Sequence, residues 1–136
     1  MLAEVKRVLK PGGVFIILDG YIKKGRAAMT SDELLAVRLS EIGMAVREFE
    51  EYPSLLSKAK KLGFSVASSE DVSKFILPTM RRFERLAIGF FRHPHLAKLI
   101  TKLFSKEFAY NAISGLLMYN LVGDDVASYY ITVLKL

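Results

Sequence analysis

There is no cysteine in this chain of 136 residues, which excludes a disulfide framework, a thiolate metal site and a thiol nucleophile, and points to a reducing compartment. Long apolar runs are also missing. The longest, at residues 14–18 and 113–118, fall far short of the roughly 18 residues needed to cross a bilayer. The first ten residues mix charges of both signs with apolar residues at helical spacing. They lack the apolar block and small-residue cleavage site of a signal peptide, so a cytoplasmic protein is expected. Histidine is confined to His93 and His95. Flanking Pro94, these two do not share a helix face, and no carboxylate-rich cluster adjoins them, so no metal site is expected. His93 reads instead as the residue before a helix that Pro94 opens. Internal repeats and low-complexity stretches are absent.

What is present is the balance of a globular domain, 51% hydrophobic and 25% charged, long enough for a sizeable core. The formal charge of +6 and a pI near 9.6 favour anionic partners. That charge is concentrated. Between residues 74 and 106 lie Lys74, Arg81, Arg82, Arg85, Arg92, Lys98, Lys102 and Lys106 against a single acid, Glu84, so this segment carries the whole excess. Nucleic acid is disfavoured as a partner, because the cations are spread along helices without a recognisable binding motif.

Leu2, Val5, Val8 and Leu9 mark one face of a short helix, which Pro11 stops. After Gly12 and Gly13, the run Val14-Phe15-Ile16-Ile17-Leu18 predicts a strand covered on both faces and ending at Asp19-Gly20-Tyr21. This helix, turn and strand form half of an αβ unit of a parallel α/β sheet. Thr30 and Glu33 have capping-box spacing, predicting a helix from Ser31. Pro53 and Gly63 bracket a second helix carrying Leu55, Leu56, Ala59 and Leu62. A strand follows at residues 64–68, where Phe and Val alternate with Ser. From Asp71 or Ser73 to about Leu121 the pattern is helical, broken at Arg92-His93-Pro94 and at Ser105, with a kink expected at Pro78 unless the helix begins there. Gly123-Asp124-Asp125 reads as a turn and residues 128–134 as a terminal strand.

The run Arg7-Val8-Leu9-Lys10-Pro11-Gly12-Gly13 feeding a strand that ends in Asp19 resembles the C-terminal half of class I S-adenosylmethionine-dependent methyltransferases of small-molecule type. Leu55-Leu56-Ser57-Lys58-Ala59-Lys60-Lys61-Leu62-Gly63-Phe64 resembles the family's helix entering its sixth strand, and residues 129–135 its final strand. Glu70-Asp71-Val72-Ser73 resembles a step seen in members that methylate small amines, sterols or phenolic and isoprenoid rings. The resemblance spans essentially the whole chain, and its most specific piece is the Pro-Gly-Gly strand entry. It implies an α/β fold: a partial Rossmann-like methyltransferase sheet of about three strands, the last antiparallel and inserted between the other two, with an added helical cap. Residues 1–136 are then one partial domain, within which 73–122 form the cap or lid. The cofactor implied is S-adenosylmethionine, yet the family's glycine-rich loop and ribose-binding acid have no counterpart here. Gly12-Gly13 precedes a strand instead of following one and reads as a helix-to-strand turn with positive φ.

Several expectations follow about sites and partners. Asp19 and Tyr21 stand at the carboxyl end of the first strand, where open α/β sheets bind ligands and where the resemblance places the methyl acceptor. The competing structural role is an acceptor of turn amides for Asp19 and helix cover for Tyr21. No residue is assigned as a catalytic base. The helical segment reads in three ways: a lid over an apolar acceptor such as a sterol, quinone or isoprenoid-like molecule, with Phe83, Phe90, Phe91, Met118 and Tyr119 as liners; a basic amphipathic surface at 74–106 for anionic lipid; or a helical layer packing on the sheet. The strand at residues 14–18 should present an unpaired apolar edge, covered by self-association or by an upstream polypeptide. The chain is thus expected to be the substrate-side portion of a methyltransferase, inert alone. The alternative is a non-catalytic module, derived from that fold, which binds a lipid or partner or dimerises.

Overall fold

The computed structural model describes residues 1–103 and 106–136, apart from the side chains of Leu96 and Lys106. The expected break at Ser105 and the cation of Lys106 lie outside that description. Among the described residues, six helices and three strands occur in the order α1 (Leu2–Val8), β1 (Val14–Ile22), α2 (Ser31–Gly43), α3 (Tyr52–Lys61), β2 (Ser65–Asp71), α4 (Ser73–Arg92), α5 (Pro94–Leu103), α6 (Lys106–Gly123) and β3 (Ala127–Lys135), with one 3-10 turn at Arg26–Ala28.

Local chemistry sets most of these boundaries. Pro11 and Gly12, with Gly12 at φ +76°, end the first helical segment, and the Gly13 amide donates to the Lys10 carbonyl at 2.8 Å. A side chain at Gly13 would run into Leu9, 2.6 Å from its Cγ, so both glycines are required by the turn. Thr30 and Glu33 form the reciprocal capping box expected for α2. Pro53 sits in the first turn of α3, and Gly63 follows its end at φ +90°, the left-handed conformation that suits a residue past a helix terminus. Pro94 opens α5, and the His93 carbonyl accepts the Ala97 amide at 2.8 Å, so His93 occupies the position expected of it.

The sheet order is β1-β3-β2. β3 is antiparallel to both neighbours, so β1 and β2 run parallel to each other on either side of it. This is the inserted, antiparallel last strand that the resemblance implies. β1 and β2 both extend further than expected, because β3 offers pairing partners as far as Ala127 for Ile22 and Tyr130 for Asp71. Asp19, Gly20 and Tyr21 therefore lie within β1 and do not end it. The strand β2 has a register shift between Val66 and Ser68.

Two cores result, one on each face of the sheet. Ile17, Tyr21 and Leu134 pack with Leu2 of α1 and with Leu55 and Ala59 of α3. On the other face Ile22 and Ala127 pack with Val37 of α2 and with Met118, Leu121 and Val122 of α6. The helical layer stops short of the start of β1. There Val14, Ile16 and Leu18 are 52%, 62% and 63% exposed, which corrects the expectation that this run is buried on both faces. A continuous apolar run records that cover is needed, and this chain supplies it on one side only.

Candidate functional site

The site is built where the helical layer meets the carboxyl end of β1. Gly20 of β1 pairs with Tyr129 of β3, and a Cβ at position 20 would stand 3.2 Å from the Tyr129 ring. The missing side chain lets that ring lie across the strand. Both backbone groups of Tyr129 are held by the start of α4: its amide donates to Ser73 Oγ at 3.0 Å, and its carbonyl accepts the Val72 amide at 2.8 Å. Asp71 caps the same turn by accepting the Ser73 amide at 2.9 Å. The Glu70-Asp71-Val72-Ser73 step thus fixes the root of α4 to the sheet beside Tyr129.

From that root α4 runs alongside α6, which in turn crosses α2 closely at Gly43. A Cβ on Gly43 would collide with Ser114 Oγ and the Tyr110 carbonyl, and Ser114 Oγ donates to the Ser40 carbonyl at 3.1 Å. Between α4 and α6 lies a cavity of about 500 Å³, lined mainly by apolar residues that include Met44, Met80, Phe83, Phe90, Met118 and Tyr129. A second recess of about 230 Å³ opens at the end of β1, where Asp19, Gly20, Tyr21, Glu48 and Glu50 contribute, and it shares Met44, Met118 and Tyr129 with the first. Three side chains therefore form a common wall between an apolar chamber and an acidic one.

The sequence-predicted residues divide among these features. Phe83, Phe90 and Met118 line the apolar cavity, and Asp19 and Tyr21 line the acidic recess. Phe91 and Tyr119 are not among the liners of either: Phe91 stands edge-on to Phe90 at 5.1 Å, and Tyr119 lies under the Arg81 guanidinium. Asp19 Oδ1 accepts its neighbour's amide, Gly20 N, at 2.8 Å. Tyr21 is buried and tilted against Tyr52 and Tyr130. Burial, with the charges of Asp19 and Glu50 adding, pushes its phenol up to about 12. Burial first and Asp19 second also raise Tyr129. Both phenols are consequently neutral near pH 7 and can donate hydrogen bonds.

Three contributors escape the sequence reading: Tyr129, Met44 and Glu41. The Glu41 carboxylate, 2% exposed, accepts the Phe49 amide at 2.9 Å and pairs with Arg26 at 2.6 Å and Arg38 at 3.3 Å. Burial pulls its pKa upward, but the Phe49 amide and the two guanidinium groups outweigh this and hold it below the usual carboxylate value. Glu41 thereby ties to α2 the loop that brings Met44, Glu48, Phe49 and Glu50 to the two recesses.

A cofactor cradle is a different matter. The Gly12 and Gly13 amides are both spent, on the Leu136 and Lys10 carbonyls, and they stand at the opposite end of β1 from Asp19. Among the described residues, this glycine pair presents no free amides to a nucleotide-like group. Gly12 and Gly13 therefore do not serve as a cradle for S-adenosylmethionine.

No family model matches the sequence, and no curated protein is significantly similar to it. Solved structures are. Cyclopropane synthase MmaA2 from Mycobacterium tuberculosis superposes with a TM-score of 0.73 at 12% identity, covering 99% of this chain and 48% of that one. A candidate sarcosine dimethylglycine methyltransferase from Galdieria sulphuraria gives 0.66 at 16% identity, covering 98% and 45%. Phosphoethanolamine N-methyltransferase 2 from Haemonchus contortus, solved with phosphomonomethylethanolamine and S-adenosylhomocysteine, gives 0.53 at 18% identity, covering 98% and 29%. The chain spans less than half the length of each of these three. Its architecture is that of a partial methyltransferase fold: a small three-stranded α/β sheet with a helical layer.

Proposed function

We propose that this chain is the substrate-side, C-terminal portion of an S-adenosylmethionine-dependent methyltransferase that acts on a small, apolar or ring-containing acceptor, with the cofactor held by residues outside this chain. The observation that carries the reading is the wall of Met44, Met118 and Tyr129 between the apolar cavity and the recess at the carboxyl end of β1. Methyl transfer depends mainly on positioning, since the acceptor atom must stand in line with the methyl group it attacks. An apolar chamber of about 500 Å³ has the size and lining of a small-molecule site. It would hold the body of the acceptor. Tyr129, at the boundary, can donate a hydrogen bond to its polar end, and Asp19 can accept one. Helices α4 to α6, which cover the stretch 73–122, act as the lid in this reading. As the chain's own residues do not complete a cofactor site, no transfer step is assigned to it alone.

The test compares this chain with the polypeptide encoded by the same reading frame extended upstream of Met1. Labelled methyl transfer from S-adenosylmethionine to ring and chain acceptors is expected from the longer protein and not from residues 1–136. Tight S-adenosylmethionine binding by residues 1–136 in a calorimeter would overturn the proposal. An upstream region without a glycine-rich strand-turn-helix, together with binding of apolar ligands by this chain, would replace it with the non-catalytic binding module.

A further inference from the structure

Helices α4 and α5 carry exposed cations and exposed apolar side chains in adjoining stripes. Along α4, Lys74, Arg81, Arg85 and Arg92 recur at i, i+7, i+11 and i+18, all exposed, which at 3.6 residues per turn is one line along the helix. Beside that line run Phe75 and Leu86, 64% and 62% exposed. The next helix repeats the arrangement, with Lys98 and Lys102 one turn apart and Leu99 and Leu103 beside them, all exposed. Glu84 is the only acid in the two helices. Among the described residues, none of these six cations forms an ion pair.

A solvated helical layer would account for the cations but leaves the apolar stripes next to them unexplained. A nucleic-acid surface has the same defect, since phosphates give no reason to align Phe75, Leu86, Leu99 and Leu103 with the charge. An anionic bilayer surface rewards both: cations meet the headgroups while apolar side chains enter the headgroup–acyl boundary. Leu86 adds a further link, because it also lines the apolar cavity. We propose that the α4–α5 face docks on the surface of an anionic lipid bilayer and sets the rim of that cavity against the lipid.

The experiment is vesicle flotation of the whole chain, without cofactor or acceptor, so its result is independent of methyl transfer. Vesicles of phosphatidylcholine alone are compared with vesicles containing phosphatidylglycerol as well. Partitioning onto the anionic vesicles is expected to be stronger by on the order of tenfold or more and to weaken as salt is raised. Arg85→Glu with Arg92→Glu should abolish the preference, and Leu86→Ser with Leu99→Ser should weaken binding at every salt concentration. Lys10→Glu, outside the face, should change little. Circular dichroism verifies that each variant is folded. Equal binding to both vesicle types, no binding to either, or equal loss in Lys10→Glu overturns the proposal. Binding to DNA without binding to anionic vesicles would overturn it in favour of a nucleic-acid surface.

Discussion

Tyr129 lies across Gly20, its partner on the neighbouring strand, and stands where the apolar cavity and the acidic recess meet. The close approach leaves no room for a branched side chain at position 20. Gly20→Val should push the ring off the strand, cost about 1–3 kcal/mol of stability as other overpacking does, and open the shared wall. Chemical denaturation measures the first effect, and titration with an apolar fluorophore the second. An unchanged unfolding midpoint would mean that the ring moves aside freely.

Gly43 has a similar role between helices. Gly43→Ala places a methyl group against Ser114 and the Tyr110 carbonyl, forcing α2 and α6 apart. The expected loss is about 1–3 kcal/mol. Gly89→Ala should be far milder, since a Cβ there meets nothing within 4 Å, and helix propensity favours alanine. Thermal unfolding of the pair checks the contrast.

Acid sensitivity should trace in part to Glu41. Its folded pKa lies below the unfolded value, so the unfolded chain binds more protons in that interval, and the stabilisation present above about pH 4.5 is lost as pH falls toward the folded pKa. Glu33 and Asp71 are shifted the same way. Glu41→Gln should therefore flatten the acid limb without removing it. At neutral pH it should cost about 1–2 kcal/mol, because charge-assisted hydrogen bonds to Arg26 and Arg38 are weakened while Arg26 keeps its pair with Glu48 at 3.0 Å. Denaturation midpoints from pH 3 to 7 test both statements.

On the alkaline side the sign reverses. The Tyr21 phenol is raised to about 12 when folded against about 10 when unfolded, so its contribution is complete below pH 10 and disappears as pH rises toward 12. Tyr21→Phe keeps the ring contacts with Tyr52 and Tyr130 and should reduce the alkaline loss of stability. Ultraviolet titration should show one tyrosine fewer among those that ionise only at high pH in the variant.

The open face of β1 predicts behaviour in solution. Val14, Ile16 and Leu18 are exposed on a strand whose outer edge, among the described residues, is bridged only at Ile22, to Glu51. Residues 1–136 alone should self-associate at micromolar concentrations. Ile16→Lys with Leu18→Lys should raise the monomer fraction in sedimentation velocity, with little effect on the core face formed by Ile17 and Tyr21.

Punctuation by local chemistry was the legible part of this fold. The Thr30–Glu33 box, Pro53, Gly63 and Pro94 act within a few residues of themselves, so their consequences can be read without the rest of the chain. Strand order came from the resemblance to a family, not from periodicity. Sites assembled across the chain are only half legible: Phe83, Phe90 and Met118 stand out as apolar residues in the helical segment, whereas Tyr129 reads as ordinary strand content, because its role depends on Gly20 opposite it on β1. Glu41 resembled any solvated helix acid. Its burial depends on Arg26 and the Phe49 amide, which sequence spacing does not connect to it.

The central position of β3 has a consequence for synthesis. β3 lies between the other two described strands, so as the polypeptide emerges from the ribosome neither of its ladders, to β1 or to β2, can form until residues 127–135 are outside the exit tunnel. Every ladder hydrogen bond of this sheet waits for those nine residues. A nascent chain halted before them leaves β1 and β2 unjoined, and Ile17 and Tyr21 without the Leu134 they pack against.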